Sequence, residues 1–201
     1  MSKVVVEMSL SLDGFVVGPD DRPGQPFGTR KAERLHAWLL SGSEPYEGTF
    51  LRPEGRNREL VDAFFHTTGA LLTGRRTYDL AHGWGGSHPI PGLPVVVLTH
   101  KPPADVPKGK SSFTFCTTGV EDAVEAANRL AKEKDVMVHG ADTTRQLLAA
   151  GLVDELRLHV VPILLGDGRR MFERNADDLP LEMIETVATP QAVHLRYRVC
   201  R

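Results

Sequence analysis

The stretch Ala70-Leu71-Leu72-Thr73-Gly74-Arg75-Arg76-Thr77-Tyr78 reads as an apolar strand, a glycine turn and a helix start that carries two guanidinium groups. A helix start presents free N–H donors and the positive end of a dipole, so it suits a phosphate. Arginine adds a planar fork that grips phosphate oxygens in pairs. An ordinary strand-to-helix turn with solvated arginines would read the same way. The rest of the chain decides between the two, by whether it supplies further strand ends of this kind.

Lys3 to Ser9 is a valine-rich buried strand running into Leu10-Ser11-Leu12-Asp13-Gly14-Phe15-Val16-Val17-Gly18. After a polar loop, Thr29 is placed to cap a helix with Ala32, Leu35, Trp38 and Leu39 on one face. Residues 41 to 55 are rich in Gly, Pro, Ser and Glu and read as a loop or lid, since neither flank looks self-sufficient. A helix bearing Leu60, Val61, Phe64 and Phe65 precedes the strand of the opening motif. Pro94 to Thr99, Phe113 to Cys116 and Asp135 to His139 are further strands, and Val120 to Ala131 and Thr143 to Ala150 are helices. Leu156, Leu158 and Val160 alternate with polar neighbours, and Leu181 to Val187 pairs across Thr189-Pro190 with the alternating strand Val193 to Val199.

Strand-helix alternation followed by a strand-rich C-terminus predicts an α/β fold of three layers, α/β/α. Its sheet is mixed and mostly parallel, with antiparallel C-terminal strands at one edge. The 201 residues fit one domain, 1–201, and 41% hydrophobic with 25% charged residues is a globular balance. The net charge of -2 gives no pull toward nucleic acid or anionic membrane, and no apolar run approaches bilayer length. The start at Val4-Val5-Val6 lacks signal-peptide character, and Cys116 and Cys200 make no disulfide framework, so a cytoplasmic location is expected. His82 and His88 share a glycine-rich loop, but no Cys/His cluster indicates a metal.

Three buried strands end in small or cationic residues: at Gly74-Arg75-Arg76-Thr77, at Thr99-His100-Lys101, and at Gly140-Ala141-Asp142-Thr143-Thr144. Ligands of open α/β sheets gather at the carboxyl ends of strands. Gly140 and Ala141 let a backbone approach a pyrophosphate, Thr143 and Thr144 offer hydroxyls, and Arg75, Arg76 and Lys101 can surround an additional phosphate. Taken singly, Gly140 can be only a turn, Asp142 or Thr143 only a cap, and Lys101 only a solvated strand end. Together they favour a nucleotide. The Gly-x-Gly-x-x-Gly, Gly-x-x-x-x-Gly-Lys-Ser/Thr and Gly-x-Ser-x-Gly signatures are absent.

With these motifs the chain resembles the dihydrofolate reductase-like superfamily, and more closely the C-terminal reductase domain of bacterial riboflavin biosynthesis. The marks are Ser11-Leu12-Asp13-Gly14-Phe15, Leu72 to Tyr78, Val97-Leu98-Thr99, Val138-His139-Gly140-Ala141 and, most specifically, the run from Ala150 to Gly168. The resemblance implies NADPH as cofactor. Gly74, Arg75, Arg76 and Thr77, with Thr99, His100 and Lys101, would flank the adenosine phosphates, and Gly140 through Thr144 would meet the pyrophosphate. Asp13, Gly14, Val16 and Val17 would lie near the nicotinamide and substrate. The chain departs from the riboflavin reductases at His139, where they carry a glutamate associated with substrate, and at Asp79 to Gly86, where they hold a ribitol phosphate. No Pro-Trp for a pterin is present.

The expected activity is hydride transfer to a C=N or C=O group of a small heterocycle or ring-opened sugar imine, similar to 5-amino-6-(5-phosphoribosylamino)uracil reduction. Dihydrofolate or pterin reduction, or a non-catalytic nucleotide sensor or dimeric scaffold, are the alternatives. Asp13 and His139 are the candidate proton donors. Asp13 can instead cap the turn with Gly14, and His139 can be a satisfied polar group in the sheet. Phe27 and Trp84 are candidate walls of a substrate site or packing residues. The alternating C-terminal strands suggest a homodimer through the antiparallel edge.

Overall fold

The protein is described by a computed structural model over residues 2–172 and 178–200. The strand β1 (Val4–Ser11) and the short β2 (Phe15–Val17) come first, followed by a 3-10 helix, Ala32–Leu40. Then follow α1 (Gly55–Thr67), β3 (Thr68–Gly74), α2 (Arg75–Leu80), a 3-10 turn at His82–Gly86, β4 (Val95–Leu98), β5 (Phe113–Cys116) and α3 (Val120–Ala131). The chain continues through β6 (Asp135–His139), α4 (Ala141–Ala149), β7 (Glu155–Val161), β8 (Arg169–Arg170), β9 (Leu181–Ala188) and β10 (Val193–Val199).

An eight-stranded sheet has the order β5-β4-β3-β6-β1-β7-β10-β9. From β5 to β7 all pairings are parallel, and β7-β10-β9 are antiparallel, as the alternation along the sequence predicts. The central parallel strands are nearly continuous apolar runs because helices cover both faces. On one face Val4, Val6, Leu72, Val96 and Val138 pack under Ala123, Ala127 and Leu147 of α3 and α4. On the other, Leu71, Val95, Val97 and Met137 pack under Leu35 and Trp38 of the first 3-10 helix and Val61 and Phe65 of α1.

The region after β2 departs from expectation. Thr29 does not cap a helix; its hydroxyl donates to the Pro19 carbonyl, and Arg30 and Lys31 both adopt positive φ before a 3-10 helix begins. The apolar face Ala32, Leu35 and Trp38 is buried as its spacing implied. The stretch 41–55 is held down by Leu51 and by the fully buried Tyr46, whose hydroxyl donates to Asp62 Oδ1 at 2.6 Å.

Candidate functional site

The carboxyl ends of β3, β4 and β6 lie side by side, and the turns into α2 and α4 come into close contact. A Cβ added at Gly74 would sit 2.6 Å from the Thr143 hydroxyl. One added at Gly140 would sit 2.7 Å from the Thr77 hydroxyl, and Gly140 also holds φ +99°, which side chains other than glycine's rarely adopt. Two threonine hydroxyls and two helix starts therefore border one notch.

The two arginines at this notch are already engaged. Arg75 Nε donates to both oxygens of Asp79, at 2.8 and 3.0 Å, and Nη1 donates to the Lys101 carbonyl. Arg76 reaches over to the loop after β2, where Nε donates to Asp21 Oδ2 and Nη2 to the Asp21 carbonyl, each at 2.7 Å. Burial pushes the Asp21 carboxyl up, but the Arg76 contact and charge outweigh it and hold the group below its ordinary range. Thr99 folds its hydroxyl onto the Lys101 carbonyl, and His100 and Lys101 project into solvent. Asp142 accepts from Arg145 and Gln146 within its own helix. The Thr144 hydroxyl is buried and unpartnered among the described residues.

The notch opens into a cavity of about 400 Å³ between the sheet and the helices that carry Trp38 and Phe64. Val16, Val17, Arg76, Thr77, Gly140 and Ala141 surround its mouth, and Phe27, Trp38, Phe50, Phe64, Phe65 and Trp84 supply apolar walls. Trp84 stands in a left-handed turn, at φ 51°, with its ring 5.2 Å from that of His88. His36, His88 and His139 also line the chamber. Burial pushes these imidazoles down to about 4, about 3 and about 4 respectively, and at His139 the opposing charge of Glu7 does not cancel it, so they are neutral at pH 7.

The sequence-derived candidates thus separate into three groups. Val16, Val17, Phe27, Arg76, Thr77, Trp84, His139, Gly140 and Ala141 all face the cavity. Gly74, Arg75, Thr99, His100, Lys101, Asp142, Thr143 and Thr144 sit beside it, at the strand ends. Asp13 and Gly14 do not line it. The Asp13 carboxylate accepts from the Ser11 hydroxyl and from the backbone N–H of Leu165 and Gly166, at 2.5, 3.1 and 2.7 Å. Against a desolvation that raises it, these bonds hold the carboxyl low, so Asp13 ties the β1–β2 turn to the segment after β7.

Residues that sequence reasoning passed over form the cavity floor. Glu7 and His159 line it, with Glu7 Oε1 and His159 Nε2 2.8 Å apart. His159 Nδ1 lies 2.8 Å from His194 Nδ1, and His194 Nε2 lies 3.1 Å from Asn57 Oδ1. Burial alone raises Glu7; the hydrogen bond and charge of His159, then Arg157 and His139, bring it below its ordinary value. The available signal was a carboxylate directly after the valine run of β1. Farther out, a polar recess of about 550 Å³ shares Asp21 and Arg169 with the cavity and adds Arg145, Asp167 and Arg170.

Comparison with known proteins agrees with this architecture. The model of the RibD C-terminal domain matches residues 2–195. The uncharacterized protein YyaP of Bacillus subtilis is 29% identical over 197 residues, covering 92% of this chain and 87% of its own. A Shewanella sp. PV-4 protein provisionally assigned to riboflavin biosynthesis superposes with a TM-score of 0.67 at 21% identity, over 100% of both chains. Dihydrofolate reductase of Enterococcus faecalis, solved with NADP(H), superposes with a TM-score of 0.58 at 15% identity, over 98% of this chain and 96% of its own.

Proposed function

The chain belongs to the RibD C-terminal domain family, and from that premise we propose that it is an NADPH-dependent reductase of a small heterocyclic substrate. One observation carries the reading: a notch of paired glycines and threonines leads directly into an aromatic-walled chamber. A dinucleotide needs that sequence of environments, hydroxyl and N–H donors for phosphates and then an apolar slot for a flat ring. Gly74 and Gly140 leave the space a side chain would fill, and Thr77 and Thr143 border it. When bound, the reduced nicotinamide supplies a hydride. The protein's own part is to fix the ring beside the substrate, exclude water and manage a proton.

Arg76 is one of two arginines lining the cavity, with Arg169, and the first choice for the 2′-phosphate because it also stands in the first turn of α2; the phosphate must displace Asp21 to use its fork. Phe27, Trp84 and the walls around them suit an unsaturated heterocycle. The test is NADPH binding, followed by its oxidation with a panel of pyrimidines, pterins and sugar imines. Turnover on one class assigns the substrate, and turnover on dihydropterins selects the dihydrofolate alternative. Tight binding without turnover across the panel leaves a nucleotide sensor, and no binding at low salt removes the nucleotide reading.

The same proposal includes a homodimer through the C-terminal edge. The edge strand β9 leaves Leu181, Met183 and Ile184 exposed. Ile184→Lys is expected to lower the association of an otherwise folded protein, read as mass in solution at micromolar concentration. No helix among the described residues is long and apolar enough to cross a membrane.

A further inference from the structure

The buried chain beneath the cavity has a direction that its own hydrogen bonds dictate. The Ser41 hydroxyl donates to the Trp38 carbonyl, which can only accept, so its oxygen is left to accept from Asn57 Nδ2. Asn57 Nδ2 also donates to Gln191 Oε1, at 2.9 Å. Asn57 therefore turns its carbonyl oxygen toward His194, and His194 Nε2 must carry a hydrogen. The Thr189 hydroxyl, which donates to the Ala192 carbonyl, presents a second acceptor to that nitrogen at 3.3 Å. A neutral His194 then has a bare Nδ1, and the proton in the contact between the two rings belongs to His159 Nδ1. One contact remains, His159 Nε2 to Glu7 Oε1, and it needs one further proton. The count leaves a single mobile proton, held between a carboxylate and an imidazole on the floor of the chamber.

The same residues face outward. A groove of about 340 Å³ is lined by Glu7, His159 and His194 from its inner side, and exposed Lys3 and Glu185 stand on its rim. The Glu7–His159 contact thus borders both the cavity and a route to solvent. The charged and titratable groups facing Glu7, among the described residues, are His159 and Arg157 of β7 and His139 of β6. Arg157 Nη1 lies 3.6 Å from Glu7 Oε2. Beyond them stand His194 of β10, His36 of the 3-10 helix, and Asp135, which balances Arg157 at 3.7 Å.

We propose that the Glu7–His159 pair is the proton donor of the cavity, and that His194 and Asn57 keep it loaded with one proton. The inference rests on the reductase reading. As the substrate carbon accepts the hydride, the π pair of its C=N or C=O bond moves onto the heteroatom and forms a bond to the proton of the pair. Glu7 is left as carboxylate and His159 as neutral imidazole, and a proton from the outer groove restores the pair. Asp13 and His139 are not needed as donors. Asp13 is bound into a turn, and His139 carries no charge to give up at neutral pH.

The test has two readouts. In the free protein, ¹⁵N NMR of the histidine rings at pH 7 should find His159 protonated on both nitrogens and His194 as the neutral Nε2–H form, and Glu7→Gln should remove the His159 imidazolium signal. A neutral His159 in the unmodified protein overturns the proposal whether or not Glu7→Gln folds. In turnover, Glu7→Gln should lower kcat by about 100-fold, within the range of general acid catalysis. It should also move the alkaline limb of the pH profile to lower pH and leave NADPH affinity unchanged. Wild-type kcat with an unchanged profile overturns the proposal. If NADPH fails to bind the unmodified protein, the reductase reading falls and a proton donor for it falls too, but an imidazolium signal that Glu7 controls would still establish the loaded pair.

Discussion

The strand-end notch and the cavity floor are both polar, and they keep their charges in opposite ways. At the notch, Arg75 and Arg76 are partly exposed and lean on Asp79 and Asp21, carboxylates that a phosphate can replace. The open Arg75–Asp79 pair contributes little to stability and exchanges readily, and Arg76 stays half exposed although its partner Asp21 is largely covered. On the floor, Glu7, His159 and His194 are buried, and each is bound to the next. No solvent stands ready to take over a broken contact there, so losing a partner leaves an unsatisfied group. The notch is built to trade one anion for another, and the floor is built to keep a fixed count of protons.

The largest expected difference between them lies in acid. His36, His88, His139 and His194 are held by burial near 4, 3, 4 and 4, below the ordinary 6.5. As pH falls below 6.5, the unfolded chain takes up protons that the folded cavity refuses. Stability should therefore decline from pH 6.5 toward 4, by at most about 1.4 kcal/mol per pH unit for each histidine. Urea unfolding at pH 7 and pH 5 reads this directly; equal midpoints would mean that the cavity admits charge and that the contrast with the notch is false.

Next in size is Arg76→Gln. Losing a charged hydrogen bond to the 2′-phosphate should weaken NADPH by about 1.5–3 kcal/mol and leave NADH unchanged. Titration with both cofactors decides, and equal losses would remove Arg76 from that role. Gly140→Ala comes third. Its positive φ and its approach to Thr77 should cost about 1–3 kcal/mol of stability, seen as a lower Tm, together with weaker NADPH binding. A full-strength variant would show that the notch yields more than its contacts suggest. The smallest effect is Asp21→Asn, which frees the Arg76 fork and should tighten NADPH by less than about 1 kcal/mol. Weaker binding would mean that Asp21 holds the loop for the ligand and does not compete with it.

The notch was legible along the chain because its parts are contiguous, each strand end leading straight into its helix start: Gly74 to Thr77 and Gly140 to Thr144 are local motifs. The strands were equally plain, since unbroken valine runs are what two covered faces require. The floor was not, because it is made by register. Ser9 stands opposite His159 on β7, and His159 opposite His194 on β10, so the floor is assembled from positions far apart in sequence. Nothing short of the strand order brings residues 7, 159 and 194 together, and α1 packing on the sheet adds Asn57. The helix expected to start at Thr29 failed for a local reason, the left-handed residues Arg30 and Lys31, which no propensity favours. Asp13 reads either way along the chain because a turn-capping carboxylate and a catalytic one look alike until their acceptor sites are counted.

The place of β1 has a consequence for how the protein is made. It lies between β6 and β7, and the Val4 amide bonds to Asp154, 150 positions away. At about 5–20 residues per second, a ribosome takes on the order of ten seconds to deliver those neighbours. For that interval a valine-rich segment has no sheet to join, which is the condition that invites pairing with another nascent chain. Glu7 interrupts that segment with a charge. A residue argued above to hold a proton in the finished molecule would also protect the first strand while it waits.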